Sequence, residues 1–263
     1  MSTNEQSSGE HLGRTVLVTG AGGGIGGDYV AAFAAAGANV VATDVAGAAD
    51  AGLALADEVS SAGAGKVVFV TADVTSDADW ETVVATAGAE FGGIDALVNN
   101  AAIYQGLGTK SHLTELTTEA WDRVLTVNVR GTWQAIKAVT PAMRAGGGGR
   151  IVNISSTVAR MGAPGFAHYV ASKAAVDGLT RAAARELGSD AITVNGVAPG
   201  LVSDAASRTL NTGDYIAAAA KGRALGREMT PGDLVGAVMW LASPSSGFVT
   251  GQTVVVDGGG VFT

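Results

Sequence analysis

The amino-acid sequence predicts a single-domain α/β protein, a doubly wound parallel sheet of about seven strands with helices on both faces. Three observations carry that expectation. From Arg14 onward, short β-branched runs alternate with longer alanine-rich or amphipathic stretches. The runs are almost continuously apolar, as in strands buried on both faces. No linker, composition break or internal repeat divides the chain. Right-handed crossovers between parallel strands then leave the doubly wound topology as the natural arrangement.

In chain order, strands are expected at Thr15–Thr19, Asn39–Thr43, Lys66–Thr71, Asp95–Asn99, Arg150–Ile154, Ile192–Val197 and Thr253–Val256. Helices are expected at Ile25–Ala36, Ala48–Ala62, Asp77–Phe91, Thr118–Arg144, Tyr169–Leu187 and Pro231–Ala242. The Gly146–Gly149 run falls between a helix and a strand, where it suits a helix stop and a tight turn. Residues 1–11 read as a disordered leader to a single domain over 12–263, since Met1–Glu10 lacks the cationic-then-apolar order of a signal peptide. The longest weakly polar stretch, Tyr29–Thr43, is too short to span a bilayer. A soluble, cytoplasmic protein is the expectation.

Composition narrows the function. The chain has 263 residues, 39 of them glycine, no cysteine and a net charge of −8. Glycine is thus about twice its usual share of ~7%, without the three-residue period of collagen. An acidic chain with no basic stripe argues against nucleic acid and against an anionic membrane surface. The absence of cysteine excludes disulfides, thiol catalysis and thiolate-bound metal.

The first strand runs directly into Thr19-Gly20-Ala21-Gly22-Gly23-Gly24-Ile25-Gly26 and then a helix. Glycines in that setting let backbone approach a pyrophosphate, and the helix start supplies free N–H groups and a positive dipole end. The alternative is a tight strand-to-helix turn in a glycine-rich chain. Asp44 ends the second strand, where a carboxylate accepts from both adenosine ribose hydroxyls and repels a 2′-phosphate. Neither Gly23 nor Val45 offers a cation to such a phosphate, so NAD is expected over NADP.

Tyr169 and Lys173 sit at i and i+4 at the start of a helix and so share a face. A phenol is a poor base at neutral pH, with an ordinary pKa of about 10. A neighbouring ammonium favours the phenolate and makes tyrosine usable as a general acid/base. Upstream, Ser155 and Ser156 close a strand at the sheet edge where open α/β folds bind ligands. Each of these features also has a plain structural reading, as a surface pair or a strand terminator.

Together these residues resemble the short-chain dehydrogenase/reductase family, over nearly the whole chain from about Leu12 to Gly259. TGAGGGIG is similar to the family's cofactor turn, carrying Gly20, Gly24, Ile25 and Gly26. Asn99-Asn100-Ala101-Ala102 resembles its NNAG segment, with alanine in place of the last glycine. Asn128, Ser156, Tyr169 and Lys173 match its catalytic tetrad, Asp73-Val74 the pair that meets adenine, and Pro199-Gly200 the turn beside the nicotinamide. The resemblance implies a Rossmann fold, hydride transfer between NAD(H) and a carbinol or carbonyl carbon, and a homotetramer. It implies that Tyr169 exchanges the proton and that Ser156 holds the substrate oxygen. Lys173 would bind the nicotinamide ribose and lower the Tyr169 pKa, while Asn128 and Lys173 would position a relay water.

One departure stands out. Where the family often has threonine five residues after the proline of its Pro-Gly turn, this chain has Asp204, preceded by Val202 and Ser203. A carboxylate cannot donate to the carboxamide oxygen, so a one-residue shift giving that contact to Ser203 is expected.

Three segments, Ala102–Leu113, Thr157–His168 and Leu201–Arg223, should overhang the nicotinamide. They offer Ile103, Tyr104, Met161, Phe166, Leu210 and Tyr215, with Arg160 and Arg208 as possible charges. Such a wall fits an uncharged secondary alcohol or ketone. A serine hydrolase using His168 lacks the nucleophile elbow and an acid partner, and three scattered histidines argue against catalytic zinc. His168 is expected at the pocket wall or surface, and Trp121, Trp133 and Trp240 in the core or at subunit contacts. The alternatives carried forward are a 3-oxoacyl thioester reductase using NADPH and a non-catalytic NAD sensor.

Overall fold

β-Branched residues at successive positions favour extended backbone and crowd a helix, and seven runs rich in Val, Ile and Thr form strands. They are β1 Thr15–Thr19, β2 Asn39–Asp44, β3 Val67–Thr71, β4 Ala96–Asn99, β5 Gly149–Ile154, β6 Ile192–Pro199 and β7 Thr253–Val256. The structure, a computed structural model, describes residues 9–63, 65–108 and 110–262. Residues 1–8 of the expected leader lie outside the described residues. Residues 9–11 belong to the packed chain: His11 is buried edge-on against Phe33, ring centres 5.0 Å apart.

All strand pairs are parallel, in the order β3-β2-β1-β4-β5-β6-β7. The order reverses between β1 and β4, which opens a crevice at the carboxyl ends of the strands. Thr19, Asp44, Asn99, Ile154 and Pro199 end their strands along that one edge.

Successive side chains on a strand face opposite ways, and the core divides accordingly. Val16 and Val18 pack under α1 (Gly24–Ala35), with Tyr29 and Phe33, beside α2 (Ala49–Ser61). Leu17 and Val41 pack on the other face with Trp80 and Val83 of α3 (Asp77–Phe91). Ser76 caps α3 by accepting from Asp79 N at 3.2 Å, and Gly92, at φ 85°, ends it.

The helix expected over 118–144 is interrupted. α4 (Thr118–Leu125) passes into a π-turn at Thr126–Gly131 before α5 (Thr132–Ala145) resumes. Within it the Asn128 carbonyl accepts from Thr132 Oγ1 at 2.8 Å. A Cβ on Gly131 would meet Val74 Cγ2 at 2.7 Å, so this turn presses closely on the β3 side of the cleft. After the short α6 (Val158–Met161), α7 (Ala167–Leu187) follows, with Asp177, Thr180 and Ala184 buried. Two further helices, α8 (Ala205–Leu210) and α9 (Gly213–Lys221), lie in the overhanging segment 201–223, which is not among the expected helices. Their caps are side chains, Asp204 accepting from Ser207 N at 2.8 Å and Thr212 from Tyr215 N at 3.3 Å. α10 (Gly232–Ala242) completes the first face through Leu234, Val238 and Leu241. No described helix is long and apolar enough to cross a membrane.

Candidate active site

The crevice between β1 and β4 opens into a cavity of about 890 Å³ that runs from the glycine turn to the segments over β5 and β6. Its first half is made largely of backbone. Gly20 has φ 64°, and a Cβ there would meet Ala101 Cα at 2.8 Å. At Gly26 a Cβ would strike the Gly20 carbonyl oxygen and lie 2.8 Å from Asn100 Nδ2. Asn100 Nδ2 donates to the carbonyls of Thr19 (3.0 Å) and Gly20 (2.9 Å), while Thr19 Oγ1 accepts from Asn100 N (3.1 Å) and Ala101 N (3.0 Å). Thr19 and Asn100 thereby clamp the ends of β1 and β4 together. Beyond the clamp, α1 starts with no side-chain cap and no acid in its first turn. Its opening N–H groups face a cleft where Gly23 and Gly24 leave open space.

Asp44 borders the same cleft. Its Oδ2 accepts from Gly22 N at 2.9 Å and its Oδ1 from Val45 N at 2.8 Å. These residues fit a dinucleotide: uncapped helix amides for the pyrophosphate, a glycine surface without side chains, and a fixed carboxylate bordering the same cleft for a ribose. Ile25, Asp73, Val74, Ala101, Pro199, Gly200 and Val202 line the cavity as well.

The second half is made of side chains. The two serines after β5 part company. Buried Ser155 donates through Oγ to the Lys173 carbonyl at 3.3 Å, tying β5 to α7, and Ser156 faces the cavity. Tyr169 and Lys173 rise into it from α7, with Lys173 Nζ 5.7 Å from the centre of the Tyr169 ring. Lys173 Nζ also donates to Ile154 O at 2.7 Å. Burial lowers the Lys173 pKa to about 8, with Asp177 opposing. Burial, then Tyr104, pushes the Tyr169 phenol well above its ordinary value, against a hydrogen bond with Ser156 that draws it down. Desolvation thus dominates the phenol in the protein alone, and the downward pull expected from Lys173 is not among the influences on it.

Several sequence expectations change place. Asn128 does not line the cavity; it is buried behind it, accepting through Oδ1 from Ile103 N (2.7 Å) and donating through Nδ2 to Ser172 Oγ (3.0 Å). Ser203 is also outside the lining, and its N–H donates to Met229 O at 2.7 Å. Asp204 takes the lining position, with one carboxylate oxygen committed to capping α8. Ile103, Tyr104, Met161, Phe166 and Tyr215 line the wall, but Leu210 does not; one turn of α8 puts Ser207 and Asn211 there instead. Arg160 pairs with Asp177 (3.5 Å) and Arg208 with Glu228 (2.8 Å), so neither is a free charge over the site. His168 is buried outside the lining, neither wall nor surface, and burial lowers its pKa. Trp133 and Trp240 are half-exposed, which excludes the core but not the subunit contact also expected for them.

Sequence reading missed Ser172, Ser207, Asn211 and Arg223. Arg223 is buried in the wall and donates to the carbonyls of Arg227 (3.1 Å) and Leu201. Only Thr19 and Ser172, inside motifs already noticed, left a local signal. No cluster of metal-ligating side chains occurs among the described residues.

A doubly wound sheet whose crevice joins a glycine cradle to a serine–tyrosine–lysine cluster defines the class of nicotinamide-dependent oxidoreductases. Comparison with known proteins agrees. Residues 20–260 match a family model described as enoyl-(acyl carrier protein) reductase. The chain is 39% identical over 254 residues to a 3-alpha-(or 20-beta)-hydroxysteroid dehydrogenase of Mycobacterium bovis, covering 97% of this chain and 92% of that one. It is 36% identical to a 3-oxoacyl-[acyl-carrier-protein] reductase of Staphylococcus epidermidis, over 94% and 99% of the two chains. A solved short-chain type dehydrogenase/reductase from Mycobacterium marinum superposes with TM-score 0.89 at 32% identity, covering 98% of this chain and 99% of that one. The chain belongs to the short-chain dehydrogenase/reductase family. It is an NAD(P)-dependent oxidoreductase that transfers hydride between the nucleotide and alcohol or ketone substrates.

Proposed function

We propose that this enzyme is an NAD-dependent secondary-alcohol dehydrogenase or ketone reductase for a largely apolar, uncharged substrate. The observation that carries the cofactor choice is Asp44. Its carboxylate, held by two backbone N–H groups at the mouth of the cradle, repels a 2′-phosphate. The apolar wall of Ile103, Met161 and Phe166, with Arg160 and Arg208 already paired, supports an uncharged substrate.

When bound, the nicotinamide supplies the hydride site and, in its oxidised form, a positive charge beside Tyr169. In the oxidative direction Tyr169 Oη takes the hydroxyl proton as hydride leaves the carbinol carbon, and in reduction it returns that proton. The Ser156 hydroxyl donates to the same substrate oxygen and stabilises its developing negative charge. Lys173 would hold the nicotinamide ribose through Nζ, and its ammonium would favour the phenolate once the cofactor is bound. Asn128 acts behind them as a positioning residue, fixing Ile103 and, through Ser172, the first turn of α7.

Initial rates with NADH and NADPH against a panel of cyclic and aryl ketones test this reading. NADH is expected to give a kcat/KM at least about tenfold above NADPH, the scale set by one repulsive charge contact. Preference for NADPH with 3-oxoacyl thioesters would instead favour the carrier-protein reductase reading, which the Staphylococcus epidermidis relative suggests. We further propose a cytoplasmic homotetramer. Fully exposed Phe248 and half-exposed Trp240, next to the edge strand β7, support burial against other copies. Analytical ultracentrifugation and cell fractionation check these two points.

A further inference from the structure

The wall beside Tyr169 is not uniformly apolar. Tyr104, from the segment after β4, lies with its ring centre 5.4 Å from that of Tyr169. Around its hydroxyl, Ser207 Oγ and Asn211 Nδ2 each stand at 3.5 Å, and both donate toward the phenol oxygen. All three residues line the cavity. The Asn211 carboxamide is oriented by its other bonds. Its Oδ1 accepts from Lys110 Nζ at 3.2 Å and its Nδ2 also donates to Ser207 O at 3.0 Å. Lys110 is in turn held over the rings of Tyr215 (4.4 Å) and Phe166 (5.5 Å). The amide is thereby fixed with its NH₂ toward Tyr104.

A hydroxyl has one hydrogen to give and two lone pairs to receive. Two donors point at the Tyr104 oxygen, so its proton is the group left to offer, and none of the hydrogen bonds among the described residues has Tyr104 Oη as donor. Donors converging on one oxygen also polarise its own O–H, in the manner of a cooperative chain. The 3.5 Å contacts are long for O–H···O or N–H···O bonds, leaving the pole free to tighten on a ligand atom.

We infer that Tyr104, Ser207 and Asn211 form a second polar pole beside Tyr169 that selects substrates carrying a second, uncharged acceptor oxygen besides the one on the reacting carbon. The substrate class is a diketone, hydroxyketone or diol on an apolar skeleton, with one oxygen at Tyr169 and Ser156 and the other accepting from Tyr104 Oη. This deepens, and rests on, the alcohol–ketone reading above. The pole presents no cation to a carboxylate or phosphate, since the Lys110 ammonium is turned to Asn211 and the two rings.

The test compares a bicyclic diketone with the monoketone of the same skeleton, in wild type and in Tyr104→Phe, which removes one hydroxyl and keeps the ring. Wild type is expected to favour the diketone in kcat/KM. In Tyr104→Phe the diketone-to-monoketone ratio should fall about tenfold, the loss of one hydrogen bond to a buried partner. A purely structural contact between Tyr104 and the Tyr169 ring would slow both ketones alike. An unchanged ratio therefore overturns this inference and leaves the alcohol–ketone reading standing. NADH oxidation with neither ketone, nor with any ketone of the panel, would overturn that underlying reading too.

Discussion

The two halves of the cleft are built from different materials. On the β1–β2 side the surface is backbone: Gly20 and Gly26 leave no room for a Cβ, and the start of α1 presents bare N–H groups. On the β5–β6 side it is side chain, gathered from α7, from the segment after β4 and from α8 and α9. A backbone-built half recognises one fixed shape and tolerates almost no substitution. A side-chain-built half can change its preference one residue at a time. This is the division expected of a family whose members share a nucleotide and differ in alcohol.

The contrast is broken most severely at Gly26. Gly26→Val places its Cβ against the Gly20 carbonyl and beside Asn100, at the clamp joining β1 to β4. We expect loss of NADH binding by fluorescence titration and a destabilisation of about 2 kcal/mol or more in denaturant, the scale of overpacking. Retention of wild-type affinity would show that the cradle yields as easily as the substrate wall. Asp44→Ala comes next. Removing the carboxylate should lower kcat/KM for NADH and shrink the NADH-to-NADPH ratio by about tenfold. A ratio that does not move would place nucleotide choice elsewhere.

At Lys173 the comparison is electrostatic. Its folded pKa of about 8 lies below the ordinary 10.5, so across that interval the unfolded chain binds more protons and stability rises with pH. The Tyr169 phenol acts oppositely, but only above its ordinary 10.0, where the unfolded chain loses its proton first. Without cofactor, the denaturation midpoint should therefore climb from about pH 8 to pH 10, and Lys173→Met should flatten that climb. Equal slopes in both proteins would mean that the ammonium is not desolvated. The smallest effect belongs to the substrate rim. Met161 is 65% exposed, so Met161→Ala should leave the thermal midpoint nearly unchanged while raising KM for apolar ketones about two- to fivefold.

The same division explains what was legible in the sequence. The cradle is local: Gly20 to Gly26 follow β1 directly, Asp44 ends the next strand, and Tyr169 and Lys173 are one helical turn apart. Spacing alone carries such features. The substrate half depends on geometry that spacing does not encode. α8 has six residues, too few to show a helical period, yet with Asp204 capping it the helix puts Ser207 and Asn211 rather than Leu210 on the wall. Asn128 was legible as a residue but not in its setting, because a π-turn inside an amphipathic helix leaves no composition signal. Arg223 is held in the wall by the carbonyls of Arg227, four residues on, and of Leu201, 22 residues back, a pairing that spacing does not encode.

The account turns on Tyr169 as the proton-transferring group of a cleft already complete for the nucleotide. Its most direct measurement is kcat for ketone reduction by Tyr169→Phe, beside the Kd for NADH from fluorescence titration. Loss of a positioned general acid should lower kcat by about 10²–10⁴-fold, with NADH affinity changed by no more than about twofold because the cradle is untouched. A variant that keeps wild-type turnover while binding NADH normally would contradict the account.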